Sequence, residues 1–240
     1  MSAPIENADV ETASAGYAAR FDSAAGRWML DTQLEITREL LADLGAGSVL
    51  DVGGGHGQVA PHLLDHGRAV TVLASSSLAV GSALQPSIDA GRVKLLTGDL
   101  RNPSVEPRSF DVVLSYRLLA HAHDLPALVS ALCRSARVAV IVDYATTRSF
   151  NAVSEPLFAA KKRVEGNTRP FLVMRDADIA ELFGKNGFGR SARRPQFFWP
   201  MALHRAIGAP ALSRVLEGVA ARLGLRVLFG SPVIARFDRA

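Results

Sequence analysis

The residues best suited to chemistry in this chain are an aspartate and three glycines near position 50. Asp51 interrupts a short apolar run at 49–52, and Gly53, Gly55 and Gly57 follow it at every second position. An apolar run that leads into a glycine turn and then a helical pattern predicts a strand, a sharp turn and a helix. Glycine lets the backbone reverse there and lets a ligand approach without a Cβ in the way. The segment therefore predicts a nucleotide-type binding site at the end of a buried strand.

The spacing of these glycines argues against two common nucleotide motifs. A dinucleotide fingerprint needs a glycine five residues after Gly53, where this chain has Gln58. A P-loop needs Lys and then Ser or Thr after its last glycine, and here Gln58 follows Gly57. The remaining pattern, Asp-x-Gly-x-Gly-x-Gly, resembles motif I of the class I S-adenosylmethionine-dependent methyltransferases. The alternative is a glycine-rich turn that binds no ligand.

Short apolar runs predict the strands that would position this site. They span 49–52, 69–73, 93–96, 110–114 and 138–142. Helical patterns separate them, and this alternation predicts an α/β, doubly wound sheet with both faces covered. Two later runs, at 196–199 and 233–237, complete a mostly parallel seven-stranded sheet. The resemblance implies the Rossmann-like methyltransferase fold for the same elements.

Length and composition fit a single domain of 240 residues, without a Pro/Ser-rich linker or an internal repeat. We interpret 1–45 as an N-terminal helical cap, 46–145 as the cofactor-binding half and 146–240 as the substrate-side half. A helical insertion at about 201–229 precedes the last strand and is interpreted as a lid, wall or interface. Its apolar residues at helical spacing are Leu212, Val215, Leu216, Val219 and Leu223.

Composition favours a cytoplasmic protein. Cys133 is the single cysteine, so the chain forms no internal disulfide. The first 25 residues are polar, and the longest aliphatic run, at 138–142, is far too short to cross a membrane. The net charge of +4 permits contact with nucleic acid or anionic lipid without requiring it. The basic clusters that would make such contacts are Lys161–Arg163 and Arg193–Arg194.

The resemblance implies S-adenosylmethionine as cofactor and S-adenosylhomocysteine as product. In that family, an aspartate after the third strand accepts a hydrogen bond from the adenine amino group, and the next backbone amide meets the ring. Asp99 and Leu100 stand at these positions, and their alternative role is that of an ordinary turn. Ser115 ends the fourth strand, whose end faces the donor in the family. The full set of implied cofactor residues is Asp51, Gly53, Gly55, Gly57, Ala74, Ser75, Asp99, Leu100 and Ser115.

Ala74 departs from the family pattern. Family members carry an acidic residue at the end of the second strand, where it binds both ribose hydroxyls. This chain has no Asp or Glu between Asp65 and Asp89. Ser75 or Ser76 could bond a hydroxyl, but a neutral hydrogen bond is worth about 1 kcal/mol less than a charged one. The departure implies a donor affinity about tenfold weaker, or a non-catalytic protein that retains the fold.

Methyl transfer is an in-line displacement, and it needs a base only when the acceptor must lose a proton. His121, just after the fourth strand, is the candidate base, and its alternative role is packing or loop bonding. His121 and His123 do not match a known metal-ligand spacing, so no metal site is predicted. The candidate acceptor residues are Tyr17, Tyr116, Arg117, Tyr144 and Arg169.

Together these features predict S-adenosylmethionine-dependent methyl transfer to a small or lipophilic acceptor, at oxygen or carbon. The closest resemblance is to the small-molecule branch that includes quinone-biosynthesis methyltransferases. An RNA methyltransferase and a non-catalytic protein are the alternatives, and the absence of a separate RNA-binding module disfavours the first. Peripheral membrane contact through the 201–229 segment and a homodimer are also open.

Overall fold

A computed structural model describes residues 7–149 and 172–240 of the chain. Its centre is a sheet with the strand order β3-β2-β1-β4-β5-β8-β7. These strands are Ser48–Val52 (β1), Ala69–Ala74 (β2), Val93–Thr97 (β3), Phe110–Ser115 (β4), Ala136–Thr146 (β5), Phe188–Pro195 (β7) and Val233–Arg239 (β8). The neighbouring strands β3, β2, β1, β4 and β5 are parallel, whereas β8 runs antiparallel to both β5 and β7. Val173–Met174 (β6) pairs with the end of β5 outside this order.

Helices precede the sheet, connect its strands and form a layer before β8. Within the described residues they are Asp9–Thr12 (α1), Ala15–Ala18 (α2), Ala24–Leu41 (α3), Ala60–Asp65 (α4), Gln85–Asp89 (α5), Leu125–Ser135 (α6), Asp176–Gly184 (α7), Met201–Ile207 (α8), Pro210–Arg222 (α9) and Leu225–Phe229 (α10). The Ser23 hydroxyl caps α3 by accepting the Gly26 N–H, and the Asp124 carboxylate caps α6 by accepting the Ala127 N–H. Pro126 lies in the first turn of α6, where its missing N–H leaves no helical hydrogen bond unmade.

Helices cover both faces of the sheet because successive strand residues point to opposite sides. Leu50 and Val52 of β1 belong to the core that α6 and α7 cover, whereas Val49 belongs to the core under α3 and α4. On the first face the Phe183 ring of α7 stacks on Phe237 of β8, with centroids 3.9 Å apart. The doubly wound α/β prediction is confirmed.

The predicted sixth strand was wrong. It was placed at 196–199, but β7 ends at Pro195, and Phe197 packs instead against Trp28 of α3, with ring centroids 5.2 Å apart. β7 lies at the edge of the main sheet and alternates Arg with small residues, so it lacks the apolar run that identified the other strands. Within the predicted helical cap at 1–45, the longest helix is α3, which begins at Ala24 and ends at Leu41.

The order of the strands creates one crevice. The chain moves outward from β1 to β2 and β3, and then returns to place β4 against the other side of β1. In open parallel sheets, ligands bind at the carboxyl ends of the strands where the winding reverses. The glycine turn that follows β1 lies at this reversal.

The stacked phenylalanines give a test of the sheet's outer core. Phe183→Ala should lower the free energy of unfolding by about 3–5 kcal/mol, because both rings are fully buried and the change leaves a cavity. Urea unfolding followed by circular dichroism measures this loss. Phe229→Ala, at a ring that is 43% exposed, is the matched control and should lower it less. Equal losses would show that the Phe183–Phe237 stack does not support the core.

Candidate functional site

The glycine turn after β1 is held tightly by its neighbours. Gly53 and Gly57 have φ of 77° and 74° and flank a short turn at Gly54–His56. The Gly53 N–H donates to the Leu73 carbonyl at 2.8 Å, which ties the turn to β2. A Cβ at Gly55 would lie 1.8 Å from the Ala79 carbonyl oxygen, so only glycine fits there.

Asp51 lies buried beneath this turn. Its Oδ2 has no hydrogen-bond partner within the described part of the chain. Burial raises the pKa of Asp51 to about 7, and the positive charge of Arg117 partly opposes this rise. A buried carboxylate with a spare oxygen can accept a hydrogen bond from a cationic ligand group, which would hold it ionised.

Arg117 joins the strand ends to the N-terminal helices. Its backbone has φ of 62°, an unusual value for a residue other than glycine. The Arg117 N–H donates to the Asp143 Oδ1 at the end of β5, at 2.6 Å. Its guanidinium donates to Gln33 Oε1 of α3 at 2.9 Å and to Gln58 Oε1 after the glycine turn. The guanidinium also lies 4.4 Å from the centre of the Phe21 ring, a cation–π contact.

Burial also shifts two titratable neighbours of Arg117. The pKa of Asp143 rises to about 6 through desolvation, which the hydrogen bond from Arg117 N–H opposes. The pKa of His56 falls to about 3, because burial and the Arg117 charge both disfavour its protonated form. His56 Nδ1 accepts the Gln58 N–H at 3.1 Å, so the neutral ring carries its proton on Nε2.

The N-terminal helix α1 covers the carboxyl ends of β1 and β2. It packs against the glycine turn and against the turn at Ser77–Ala79. The buried Asp9 carboxylate accepts the Ser75 N–H at 2.7 Å, and Ala8 belongs to the same core cluster as Leu100. A carboxylate from α1 thus lies beside the position where Ala74 provides none.

Other predicted cofactor residues contact the protein itself. The Asp99 carboxylate accepts the Arg101 N–H at 3.0 Å and pairs with its guanidinium at 3.1 Å. The Ser115 hydroxyl donates to the Val52 carbonyl at 3.1 Å and links β4 to β1. These contacts set the positions of the side chains, and their roles toward a cofactor stay predictions.

The predicted acceptor residues divide into two groups. Tyr17 lies half-buried on α2 with its ring 5.8 Å from that of Phe21, so it joins Arg117 above the strand ends. Tyr116 and Tyr144 are buried in the core, where the Tyr116 hydroxyl bonds with Thr37 at 2.8 Å and the Tyr144 hydroxyl donates to Asp176 at 2.9 Å.

Two of the predicted residues remain. His121 lies half-buried in the short turn at Leu119–His121 after β4. Arg169 lies outside the described residues. In residues 7–149 and 172–240, no group of His, Cys, Asp and Glu side chains is arranged to hold a metal ion.

Four residues of this site were missed at the sequence level. Asp143 directly follows the apolar run at 138–142 and lies within β5, as Asp51 lies within β1, so a carboxylate next to a buried strand run is a signal for both residues. Asp9, Gln33 and Gln58 carry no such signal. They reach the site through the packing of α1, α3 and the turn after Gly57.

Comparison with known proteins agrees with this geometry. A family model described as a methyltransferase domain matches residues 49–139, from β1 into β5. The magnesium protoporphyrin IX methyltransferase of Synechocystis PCC 6803, solved with bound S-adenosylhomocysteine, is 18% identical with a TM-score of 0.65, covering 95% of this chain and 96% of that one. The 1,6-didemethyltoxoflavin-N1-methyltransferase of Burkholderia thailandensis is 16% identical with a TM-score of 0.61, covering 100% and 92%. A comparison with curated protein sequences gives no match.

The fold alone does not fix the reaction. The [4+2]-cyclase SpnF is also similar, with 17% identity and a TM-score of 0.60 over 87% of this chain and 80% of that one. The family model adds a similarity to methyltransferases over residues 49–139, from β1 into β5. Over its whole length the chain has the Rossmann-like fold of these solved methyltransferases.

The buried Asp51 predicts how stability depends on pH. Its folded pKa of about 7 lies above the ordinary value of 3.8, so the protonated form is favoured by folding. Its contribution to stability is complete below pH 4 and is lost as pH rises toward 7, up to roughly 4 kcal/mol. Asn at position 51 is neutral at every pH. The free energy of unfolding of Asp51→Asn should therefore exceed that of the natural protein by more at pH 8 than at pH 5.

Urea unfolding at both pH values measures this difference. Asp65→Asn is the control, because that carboxylate is exposed and its substitution should change stability little at either pH. A gain from Asp51→Asn that is equal at pH 5 and pH 8 would contradict a raised pKa at Asp51.

Proposed function

We propose that this protein transfers a methyl group from S-adenosylmethionine to a small-molecule acceptor. The observation that carries the proposal is the methyltransferase-domain match at residues 49–139, which includes the glycine turn and the neighbouring strand ends. Two proteins of similar structure are named as methyltransferases of small molecules. One is named for magnesium protoporphyrin IX and the other for 1,6-didemethyltoxoflavin. Transfer at oxygen or carbon is the form that we propose for this chain.

The residues at the strand ends fit such a donor. The spare Oδ2 of Asp51 suits the donor's ammonium group, and the glycines of the turn have no Cβ that would keep a ligand from their backbone. Asp99 and Leu100 would hold the adenine, and Ser75 would face the ribose. The bound donor supplies an activated methyl group on its sulfonium. The protein's part is to align an acceptor with that methyl and to exclude water.

The acceptor side would be formed by the N-terminal helices above Arg117. The rings of Tyr17 and Phe21 and the guanidinium of Arg117 lie together there. Gln33 and Gln58 hold that guanidinium in one orientation, so an acidic or aromatic acceptor group would meet a prepared surface. His121 is the proposed base for an acceptor that must lose a proton.

The two alternatives have different support. The RNA alternative relied in part on Arg193 and Arg194. Arg193 pairs with Asp176 at 2.8 Å and donates to the Val227 carbonyl, so it is engaged within the protein. The non-catalytic alternative is favoured by Ala74, which leaves β2 without its own acidic residue.

Isothermal titration calorimetry with S-adenosylmethionine and S-adenosylhomocysteine tests the proposal. Micromolar binding of either is expected and would justify a search for acceptors among phenols and quinones with labelled donor. No binding up to millimolar concentration would contradict the proposal and favour a non-catalytic protein.

Asp99→Ala tests where the adenine lies. The substitution should raise the dissociation constant for S-adenosylhomocysteine about tenfold, since it removes roughly one hydrogen bond. Calorimetry measures the constant, and circular dichroism checks the fold. Asp89→Ala, on the exposed helix α5, is the control and should leave it unchanged. If Asp99→Ala binds as the natural protein does, the donor binds but the assignment of Asp99 is wrong.

Asp9→Ala tests whether α1 must leave the strand ends before the donor enters. The substitution removes the acceptor of the Ser75 N–H, so α1 should dock more weakly and the binding-competent form should be more populated. We expect S-adenosylhomocysteine to bind about five- to tenfold more tightly in calorimetry.

Asp22→Ala, in the same N-terminal region, is the control for Asp9→Ala and should not change the affinity. Weaker binding by Asp9→Ala would contradict the displacement of α1, because Asp9 would then bind the donor in place of the acid that Ala74 lacks. Unchanged binding would show that α1 does not compete with the donor.

A further inference from the structure

The helical layer formed by α8, α9 and α10 carries most of the exposed apolar surface. Of the ten large apolar side chains that are exposed in the described residues, eight lie between positions 203 and 229. They are Leu203, Leu212, Val215, Val219, Leu223, Val227, Leu228 and Phe229. Single exposed apolar side chains are ordinary on a protein surface. Eight of them in one helical layer indicate a surface that binds a membrane or another protein.

The orientation of α9 accounts for this exposure. Its buried residues are Ser213, Glu217 and Ala220, whereas Val215 and Val219 are 61% and 50% exposed. A helix that packs on a protein core normally shows the opposite arrangement, with its apolar stripe inward.

Glu217 keeps the polar side of α9 inward. Its carboxylate accepts the backbone N–H groups of Phe198 and Trp199, each at 3.0 Å, and bonds with the His204 ring at 3.0 Å. His204 in turn lies edge-on to the Trp28 ring of α3, with centroids 5.1 Å apart. The apolar stripe of α9 therefore faces outward because of a specific polar contact rather than weak packing.

The charges of this layer have one sign. Glu217 is the only acidic residue between positions 201 and 229, and it is buried. The arginines of the same segment are Arg205, Arg214, Arg222 and Arg226. The segment thus combines an outward apolar stripe with cations and has no exposed carboxylate of its own.

We propose that the outer face of α9 and α10 binds the surface of an anionic lipid bilayer. Helices that lie in a membrane interface have this composition, with apolar side chains below the headgroups and arginines among the phosphates. A second copy of the chain fits less well. A two-fold contact through this face would bring the arginines of one copy near those of the other, and the segment has no exposed carboxylate to pair with them.

Binding would be confined to the bilayer surface. In the described ranges, no helix combines the length and the apolar composition needed to span a bilayer. The helix α8 packs against α3, near the N-terminal helices that border the proposed acceptor site. Burial lowers the pKa of Arg205 on α8, and the charges of Arg20 and Arg117 lower it further. A bound membrane would therefore lie close to the proposed acceptor site. The surface itself does not depend on the proposed function.

Co-sedimentation of the purified full chain with lipid vesicles tests the proposal. The natural protein should bind vesicles of phosphatidylcholine and phosphatidylglycerol at 3:1, bind pure phosphatidylcholine at least tenfold more weakly, and be released by 0.5 M salt. The double variant Val215→Glu/Val219→Glu should bind the anionic vesicles at least tenfold more weakly. Arg214→Gln/Arg222→Gln should lose roughly fivefold for each arginine.

Leu78→Glu is the matched control, because Leu78 is 79% exposed and lies outside this layer. It should bind vesicles as the natural protein does, and circular dichroism should show all variants folded. Donor titration calorimetry on the same proteins keeps a failure of membrane binding distinct from a failure of the proposed methyl transfer.

Either of two results would overturn the membrane proposal: failure of the natural protein to bind anionic vesicles, or a loss of binding in Leu78→Glu equal to that in Val215→Glu/Val219→Glu. If the natural protein fails to bind and forms a stable dimer in analytical ultracentrifugation that Val215→Glu/Val219→Glu dissociates, the face would be assigned to another copy of the chain.

Discussion

The contacts of Arg117 connect the parts of this structure that would otherwise be independent. Its backbone N–H donates a hydrogen bond to the buried carboxylate of Asp143, and this bond helps to hold Arg117 at a positive φ. Its side chain then points toward the N-terminal helices, where Gln33 fixes it. The guanidinium also supplies positive charge near Asp51 and Asp143, whose burial would otherwise disfavour their ionised forms more strongly. One residue thus couples the strand ends, the cap and the electrostatics of the site.

The protein covers its own strand ends with its N-terminal segment. The glycine turn and Leu100 are buried, and α1 reaches the end of β2 through the Asp9 carboxylate. A cleft formed in this way gains stability from its own N-terminal segment. The same contact sets how strongly any ligand at those strand ends must bind in order to replace it.

Sequence patterns predicted the parallel half of the fold well and its later part less well. Strands β1, β2, β4 and β5 are covered on both faces, and the edge strand β3 still carries Val93, Leu95 and Leu96. Each of the five therefore appears as an apolar run within two residues of its observed start. β7 lies at an edge and carries Arg190, Arg193 and Arg194, so it lacks the apolar run by which a strand is predicted. Asp51 and the glycines form a local pattern that sequence can reveal. Asp9 reaches Ser75 across 66 positions, and only packing brings these two residues together.

The place of β8 in the sheet has a consequence for how the chain folds during synthesis. β8 is the last strand of this sheet in chain order, yet it lies between β5 and β7 and supplies Phe237 to the core. Until residues 233–239 leave the ribosome, β7 has no partner in the main sheet, and one edge of β5 is open along most of its length. Nascent chains therefore expose an unpaired strand edge, where chaperones or other nascent chains can bind, until this last strand is inserted.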